Sequence, residues 1–316
     1  MSRDIAERDA QVAARGTKVR TMREAIAAHV HDGDTIALEG FTHLISYAAG
    51  HEIIRQKRRD LTLCRLTPDL IADQMIAARC VRKLIFSWAG NPGAGSLHAF
   101  RRAVEAEGKS EPIEIEEYSH FGMVARFSAG AAGIPFWPLR SFAATDLPDV
   151  NANIRSVACP FTGERLAAVP ALTPDVTIIH AQRADSAGNA QVWGLTGVQK
   201  EAAFAAKRVI VVVEELVDEE IIRADPNRTL IPEVIVSAVV VEPWGAHPSY
   251  AQGYYDRDNE FYVAWEAISR DATRLSAYLD EYVYGVHDRG EYLMRCGGLD
   301  HLRAHPRVCA GVDYGY

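Results

Sequence analysis

Between residues 33 and 45 the chain reads Gly-Asp-Thr-Ile-Ala-Leu-Glu-Gly-Phe-Thr-His-Leu-Ile. An apolar run from Thr35 to Leu38 stops at Glu39-Gly40, turns through Phe41-Thr42-His43, and gives way to helical periodicity. This is how a buried parallel strand delivers a glycine turn to the carboxyl edge of a sheet, the edge where open α/β folds place their ligands. The stretch is therefore expected to floor a ligand site.

The same unit recurs along the chain. Strands are predicted at 61–66, 83–88, 113–118, 175–182, 209–213 and 234–241, and the β-branched run Val209-Ile-Val-Val-Val213 suits a central strand covered on both faces. Helices are predicted at 21–29, 47–57, 68–79, 97–107, 120–132, 200–206, 261–269 and 272–284. Pro68 suits the first turn of its helix, and Ser96 suits the N-cap of the next, whose Leu97, Phe100 and Val104 form an inward stripe. Residues 135–140, flanked and interrupted by proline, read as an edge strand or an extended connection, and 141–165 as an irregular segment that crosses the surface or touches another chain. After a turn at 185–189, Gln191–Trp193 pairs back as a hairpin. The βαβα order gives an α/β fold with an open, mostly parallel sheet and helices on both faces. No linker divides the chain, so 1–316 is expected to be a single domain, with 1–20 peripheral and 261–316 a helical C-terminal extension.

Composition narrows the function. At 316 residues and 48% hydrophobic, the chain can bury a sizeable core. Its formal net charge is −8, and its one basic cluster, 55–59, falls at a helix end. That argues against nucleic acid as a partner. No apolar run nears the ~20 residues of a membrane helix, and residues 1–9 lack a signal-peptide core. The five cysteines, Cys64, Cys80, Cys159, Cys296 and Cys309, are scattered without a Cys-x-x-Cys pair. They signal neither a disulfide framework nor zinc, and reducing cytoplasm is the expected compartment.

Several motifs sit at predicted strand ends. Gly90, Gly93 and Gly95 resemble a phosphate cradle, although such a loop serves turn geometry as readily as a ligand. Glu39, Glu214 and Glu215 hold positions suited to a nucleophile or base, with capping or charge pairing as the weightier reading for each. Arg65, Arg140 and Arg183 lie where a guanidinium can pair with a substrate carboxylate or with a surface acid. Among the histidines, His98 and His120 lie near loops, His180 reads as a hydrogen-bonded core residue, and His43 and His247 follow glycine corners. No histidine spacing suits a metal.

Taken together these corners resemble the α-subunits of family I CoA-transferases, of the glutaconate and 3-oxoadipate types, over nearly the whole chain. The resemblance is carried by 33–43, Ser87-Trp-Ala-Gly-Asn-Pro-Gly-Ala-Gly-Ser96, Cys159-Pro-Phe-Thr-Gly163, His180-Ala-Gln182, Ala184-Asp-x-x-Gly-Asn189 and Gly245-Ala-His-Pro-Ser249. Six motifs in the right order, each on a predicted strand edge, make a specific signal.

The resemblance implies a protein that pairs with a β-subunit of like fold to form a heterodimer or larger heteromer, with the active site at their interface. It implies CoA transfer between an acyl-CoA and a short dicarboxylate through a glutamyl-CoA thioester, in ping-pong fashion. The nucleophilic glutamate is then expected on the β-subunit, with none in this chain. Coenzyme A is a substrate, and no metal or permanently bound cofactor is implied. The residues expected to bind substrate are Gly40, Phe41, Thr42, His43, Ser87, Asn91, Gly93, Gly95, Ser96, His120 and His247. A related subfamily hydrolyses a ring of a steroid-derived acyl-CoA and carries a glutamate where this chain reads Tyr118-Ser119-His120. His120 in that place favours a transferase, although Glu116 and Glu117 lie one small alignment shift away. A non-catalytic nucleotide-binding module using the Gly90–Gly95 loop is the third reading.

Overall fold

The computed structural model describes residues 17–105, 112–142 and 145–303. Its first helix, α1 (Met22–His29), begins with a capping box: Thr21 accepts from the Glu24 N–H, and the Glu24 carboxylate accepts from the Thr21 N–H. There follow β1 (Thr35–Glu39), α2 (Tyr47–Arg55), β2 (Leu61–Cys64), α3 (Leu70–Ala77), β3 (Val81–Phe86), α4 (His98–Val104), β4 (Glu114–Glu117) and α5 (His120–Ala132). These four strands lie side by side and parallel, in the order β1-β2-β3-β4.

The chain then leaves the sheet. β5 (Phe136–Leu139), β6 (Arg155–Ala158) and β7 (Arg165–Pro170) form a separate antiparallel sheet in the order β5-β7-β6. The sequence reading of 141–165 as irregular is corrected here, since that segment supplies β6 and the start of β7. On returning, β8 (Val176–Ala184) pairs with the free side of β1. β9 (Ala190–Gln191) folds back on the end of β8, which agrees with the predicted hairpin. After α6 (Gln199–Ala205) comes β10 (Arg208–Leu216), beside β8, and after α7 (Glu219–Ala224) and β11 (Thr229–Ile231) comes β12 (Ala238–Val241), beside β10. The parallel order is thus β12-β10-β8-β1-β2-β3-β4. From β1 the chain builds outward to one side, and from β8 to the other. The boundary between β1 and β8 is a topological switch point, where adjacent connections diverge and leave a crevice at the carboxyl edge.

Burial agrees with the layering. Val209 to Val213 are fully buried, as expected for a strand covered on both faces. One face of the sheet packs on α1, α2, α3 and the C-terminal helices α8 (Asn259–Arg270) and α9 (Ala272–Leu279). The opposite face packs on α5 and α6. A π-helical turn (Asp280–Tyr284), α10 (Arg289–Arg295) and α11 (Gly298–Arg303) complete the described chain. The C-terminal helices are anchored in the main core. Trp265 is completely buried and its indole N–H donates to Asp73 Oδ2, which also accepts from the Ser269 hydroxyl. At the other end, Val19 bridges to Val239 of β12, and residues 1–16 lie outside the described residues.

Three local expectations need correcting. The third helix starts two residues after Pro68, capped by the Asp69 side chain on the Ile71 N–H. The fourth starts at His98 with Leu97 in the cap position, one residue past Ser96, and the His98 N–H is taken instead by the Ser269 hydroxyl of α8. Val104, assigned to its inward stripe, is exposed.

Candidate functional site

At the switch point β1 ends in a tight corner. A Cβ on Gly40 would lie 2.5 Å from the Leu44 carbonyl oxygen, so only glycine fits. Thr42 and Leu44 both hold left-handed backbone conformations (φ 59° and 52°), which costs about 1–3 kcal/mol each and persists only where the surroundings enforce it. The surroundings are specific: Leu44 N–H donates to the Tyr250 carbonyl, and the Ser249 hydroxyl donates to the Thr42 carbonyl. The Phe41 and Thr42 N–H groups have no acceptor among the described residues. Phe41 and Thr42 are themselves partly exposed, so the corner carries backbone donors without an acceptor on a mount held by these contacts.

His43 fastens this corner from within. It is fully buried, its Nδ1 lies 2.8 Å from the Leu195 carbonyl, and its Nε2 accepts from the Gln252 N–H at 3.0 Å. Those partners require the Nδ1–H tautomer. Burial drives the ring's pKa down to about 4, so it is neutral near pH 7. The sequence reading offered His43 as a side chain that touches substrate. The structure places it in the wall behind the corner, with both nitrogens occupied.

Glu39 is likewise internal. Its Oε1 accepts from the Leu66 N–H at 2.9 Å, and burial raises its pKa to about 7 despite the opposing charge of Arg65. Arg65, completely buried, donates to the Gly40 carbonyl and lies 3.2 Å from Asp69 Oδ1. Glu214, at the carboxyl edge of β10, accepts from Trp244 N–H and the Tyr255 hydroxyl and lies 2.6 Å from His180 Nε2. Glu116 is held by Lys83, Arg126 and Tyr118, each at 2.6 Å. Each of the three is held by the fold, Glu39 through Oε1 alone, since its Oε2 is buried with no hydrogen-bond partner among the described residues.

Phe41 and His120 come together across the edge. Their rings meet edge-on at 6.1 Å, with His120 exposed at the first position of α5. The remaining site candidates are distributed differently. Ser87, at the end of β3, donates its hydroxyl to the Leu66 carbonyl at 2.5 Å. Asn91 is buried and donates to the Tyr262 carbonyl at 2.7 Å. His247 is buried against Asp258, at 3.1 Å, and Tyr292.

A carboxylate from α8 reaches the glycine-rich loop. Gly93 and Gly95 adopt positive φ, and a Cβ on Gly95 would sit 2.3 Å from Glu266 Oε2. That oxygen accepts from the Ser96 N–H at 2.8 Å, and Oε1 lies 3.0 Å from His98 Nε2. These contacts, with Arg270, hold the Glu266 carboxyl down at about 2. Glu266 thus takes the Ser96 N–H and sets a carboxylate where a nucleotide phosphate would approach.

On the far side of β1, β8 runs five residues past the level of the corner. Gln182 uses its amide to hold the Trp193 and Gln252 carbonyls. Trp193 lies beneath two guanidinium groups, Arg183 at 5.5 Å and Arg228 at 4.9 Å from the ring centroid. Gln182, Trp193 and Gln252 were not singled out as site residues from the sequence. Only the His180-Ala-Gln182 motif hinted at the first. Among the described residues no group of three or more His, Cys, Asp or Glu side chains is arranged to hold a metal. Likewise no helix there is long and apolar enough to cross a membrane. Chemically, the edge offers two backbone N–H groups without an acceptor among the described residues, a neutral imidazole behind them and a cationic aromatic wall, while Glu39, Glu116 and Glu214 each accept internal hydrogen bonds.

Comparison with known proteins gives concordant results. Residues 19–242 match the family described as Coenzyme A transferase. The chain is 57% identical to the A subunit of 3-oxoadipate CoA-transferase from Pseudomonas knackmussii over 272 residues, covering 86% of this chain and 95% of that one. It is 36% identical to the A subunit of glutaconate CoA-transferase from Acidaminococcus fermentans, covering 94% and 98%. The crystal structure of glutaconate coenzyme A-transferase from Acidaminococcus fermentans superposes with a TM-score of 0.88 at 34% identity, over 94% of this chain and 98% of that one.

Proposed function

The chain belongs to the coenzyme A transferase family, and from that premise we propose that it is the α-subunit of a transferase that moves CoA between an acyl-CoA and a short dicarboxylate of the 3-oxoadipate type. The observation that carries this reading is the 57% identity to the 3-oxoadipate CoA-transferase chain, against 36% to the glutaconate enzyme's. A β-subunit completes the site and supplies the nucleophilic glutamate.

In this reading the partner's carboxylate attacks the acyl-CoA thioester carbonyl. The C–S bond breaks, leaving an acyl-glutamyl anhydride and CoA thiolate. The thiolate attacks the glutamyl carbonyl and expels the first acid as its carboxylate, giving a glutamyl-CoA thioester. The incoming dicarboxylate then runs both steps in reverse order. Attackers and leaving groups are all anions of weak acids, so no proton shuttle is required. A neutral, fully bonded His43 is compatible with that chemistry. What each step does need is N–H donors at the developing oxyanion, and the Phe41 and Thr42 N–H groups of the corner are available for that role. Thr42 and His120 line the same edge for substrate contact. The internal hydrogen bonds of Glu116 and Glu214, and the full burial of Glu39 with Oε1 on the Leu66 N–H, support a nucleophile from outside the chain.

The test is expression of this chain alone and together with its β-subunit, assayed for transfer from succinyl-CoA to 3-oxoadipate and to glutaconate. Transfer is expected only from the pair, with 3-oxoadipate preferred. Full activity from the isolated chain overturns the partner claim, and hydrolysis of acyl-CoA without transfer overturns the reaction class.

A further inference from the structure

Three arginines near strand ends were candidates for a substrate carboxylate, and the structure separates them. Arg65 is completely buried between the Gly40 carbonyl and Asp69. Arg140 is engaged by both oxygens of Glu164, at 2.9 and 2.8 Å, on the separate antiparallel sheet. Arg183 is different. Its Nε donates to Gln191 Oε1 at 2.8 Å and its guanidinium lies over the Trp193 ring. Its two terminal nitrogens have no acceptor among the described residues. Glu215, its register partner on β10, is not within ion-pair distance and instead accepts from the Tyr254 hydroxyl at 3.0 Å. Arg183 is thus a half-satisfied fork, oriented in advance and partly exposed at the carboxyl edge.

We propose that Arg183 sets acceptor specificity by binding the distal carboxylate of a dicarboxylate through its two terminal nitrogens. This rests on the CoA-transfer reading and adds to it the residue that selects diacids. Position supports the assignment. β1 ends level with Ile179, and Arg183 lies four residues beyond, about 13 Å along the strand. By strand alternation residues 179, 181 and 183 share the face on which Glu39 lies. The loop after Trp193 joins the two ends: Gly194 abuts the His43 ring and Gly197 abuts Phe41. An extended five- or six-carbon diacid, with ~3 Å of polar contact at each end, spans a length of that order between the corner and the fork. A guanidinium held by one nitrogen and a ring face loses little freedom on pairing, and an acid lacking the second carboxylate leaves the fork unpaired.

The experiment uses the reconstituted pair and compares kcat/KM for the diacid with that for its distal monomethyl ester. Wild type is expected to prefer the diacid by roughly tenfold or more, chiefly through KM, as fits a charge-assisted bidentate contact. Arg183→Gln is expected to bring the ratio near one, and Arg183→Lys to recover part of it. Arg140→Gln serves as the control that keeps the ratio. An unchanged ratio in Arg183→Gln overturns the proposal. A second measurement needs no variant: phenylglyoxal labelling of the wild-type pair, read by mass spectrometry, is expected to show Arg183 shielded by the diacid and not by the monoester. Equal labelling with both overturns the proposal. If wild type transfers CoA to no acid at all, the transferase reading itself has failed, and the labelling still decides whether Arg183 binds a diacid.

Discussion

Glu39 ends β1 with its side chain out of water, its Oε1 on the Leu66 N–H and Arg65 close by. Its folded pKa of about 7 lies above the ordinary 4.5. Between those values the unfolded chain has released the proton and the folded chain has kept it. The contribution of this group is therefore whole below pH 4.5 and lost as pH rises through 7. Replacing Glu39 by Gln keeps an acceptor for Leu66 and removes the titration. In urea unfolding, stability of the variant relative to wild type is expected to rise by roughly 3 kcal/mol from pH 4.5 to 7.5; a flat difference contradicts the assignment. His43 works in the opposite sense, since its pKa is depressed to about 4 and its contribution is lost as pH falls from 6.5 through that value. Both residues could be placed at a strand end from sequence, because the glycine corner is a local signal. Their commitments could not, since the partners Leu66, Leu195 and Gln252 lie 27, 152 and 209 residues away.

At the scale of elements, the glycine-rich loop and α8 form one latch. Glu266 reaches from α8 to the Ser96 N–H and the His98 ring, and Gly95 leaves room for its carboxylate. Substituting Gly95 by Ala sets a methyl group 2.3 Å from Glu266 Oε2 at a φ of 139°. A loss of roughly 2 kcal/mol or more is expected in chemical denaturation. Glu266→Ala, which keeps the loop glycines, is expected to cost about 1–2 kcal/mol, as for a charge-assisted hydrogen bond. Neither ATP nor NAD is expected to raise the wild-type melting temperature, because the Glu266 carboxylate holds the Ser96 N–H and repels a phosphate there. Elements with local stop signals were legible: α5 runs from His120 to Ala132 as predicted, with Ser119 accepting from the Gly122 N–H and Gly133 in the left-handed cap. The β5-β7-β6 sheet was not legible as a sheet. Its strands are short and half-exposed, and only pairing between distant segments defines them.

For the whole molecule, the divergence of connections at β1 and β8 puts the Gly40 corner and the outrunning end of β8 at one edge of the sheet. The sequence made the α/β class and the parallel sheet plain, since each buried strand ends in its own glycine or polar corner. It did not show which strands are neighbours, and so left Arg183 and the corner as separate features. Large apolar side chains also remain uncovered at the carboxyl edge and around the small sheet, with Phe121 54%, Trp88 43% and Phe161 93% exposed. The central claim is that this chain is one wall of a CoA-transfer site whose nucleophile stands on a second protein. It is tested most directly by incubating the reconstituted pair with succinyl-CoA in the absence of acceptor and locating the covalent CoA thioester by peptide mass mapping. The expected result is a CoA adduct on a glutamate of the β-subunit, discharged by 3-oxoadipate, with none on this chain. An adduct on Glu39, Glu214 or Glu215 contradicts the account.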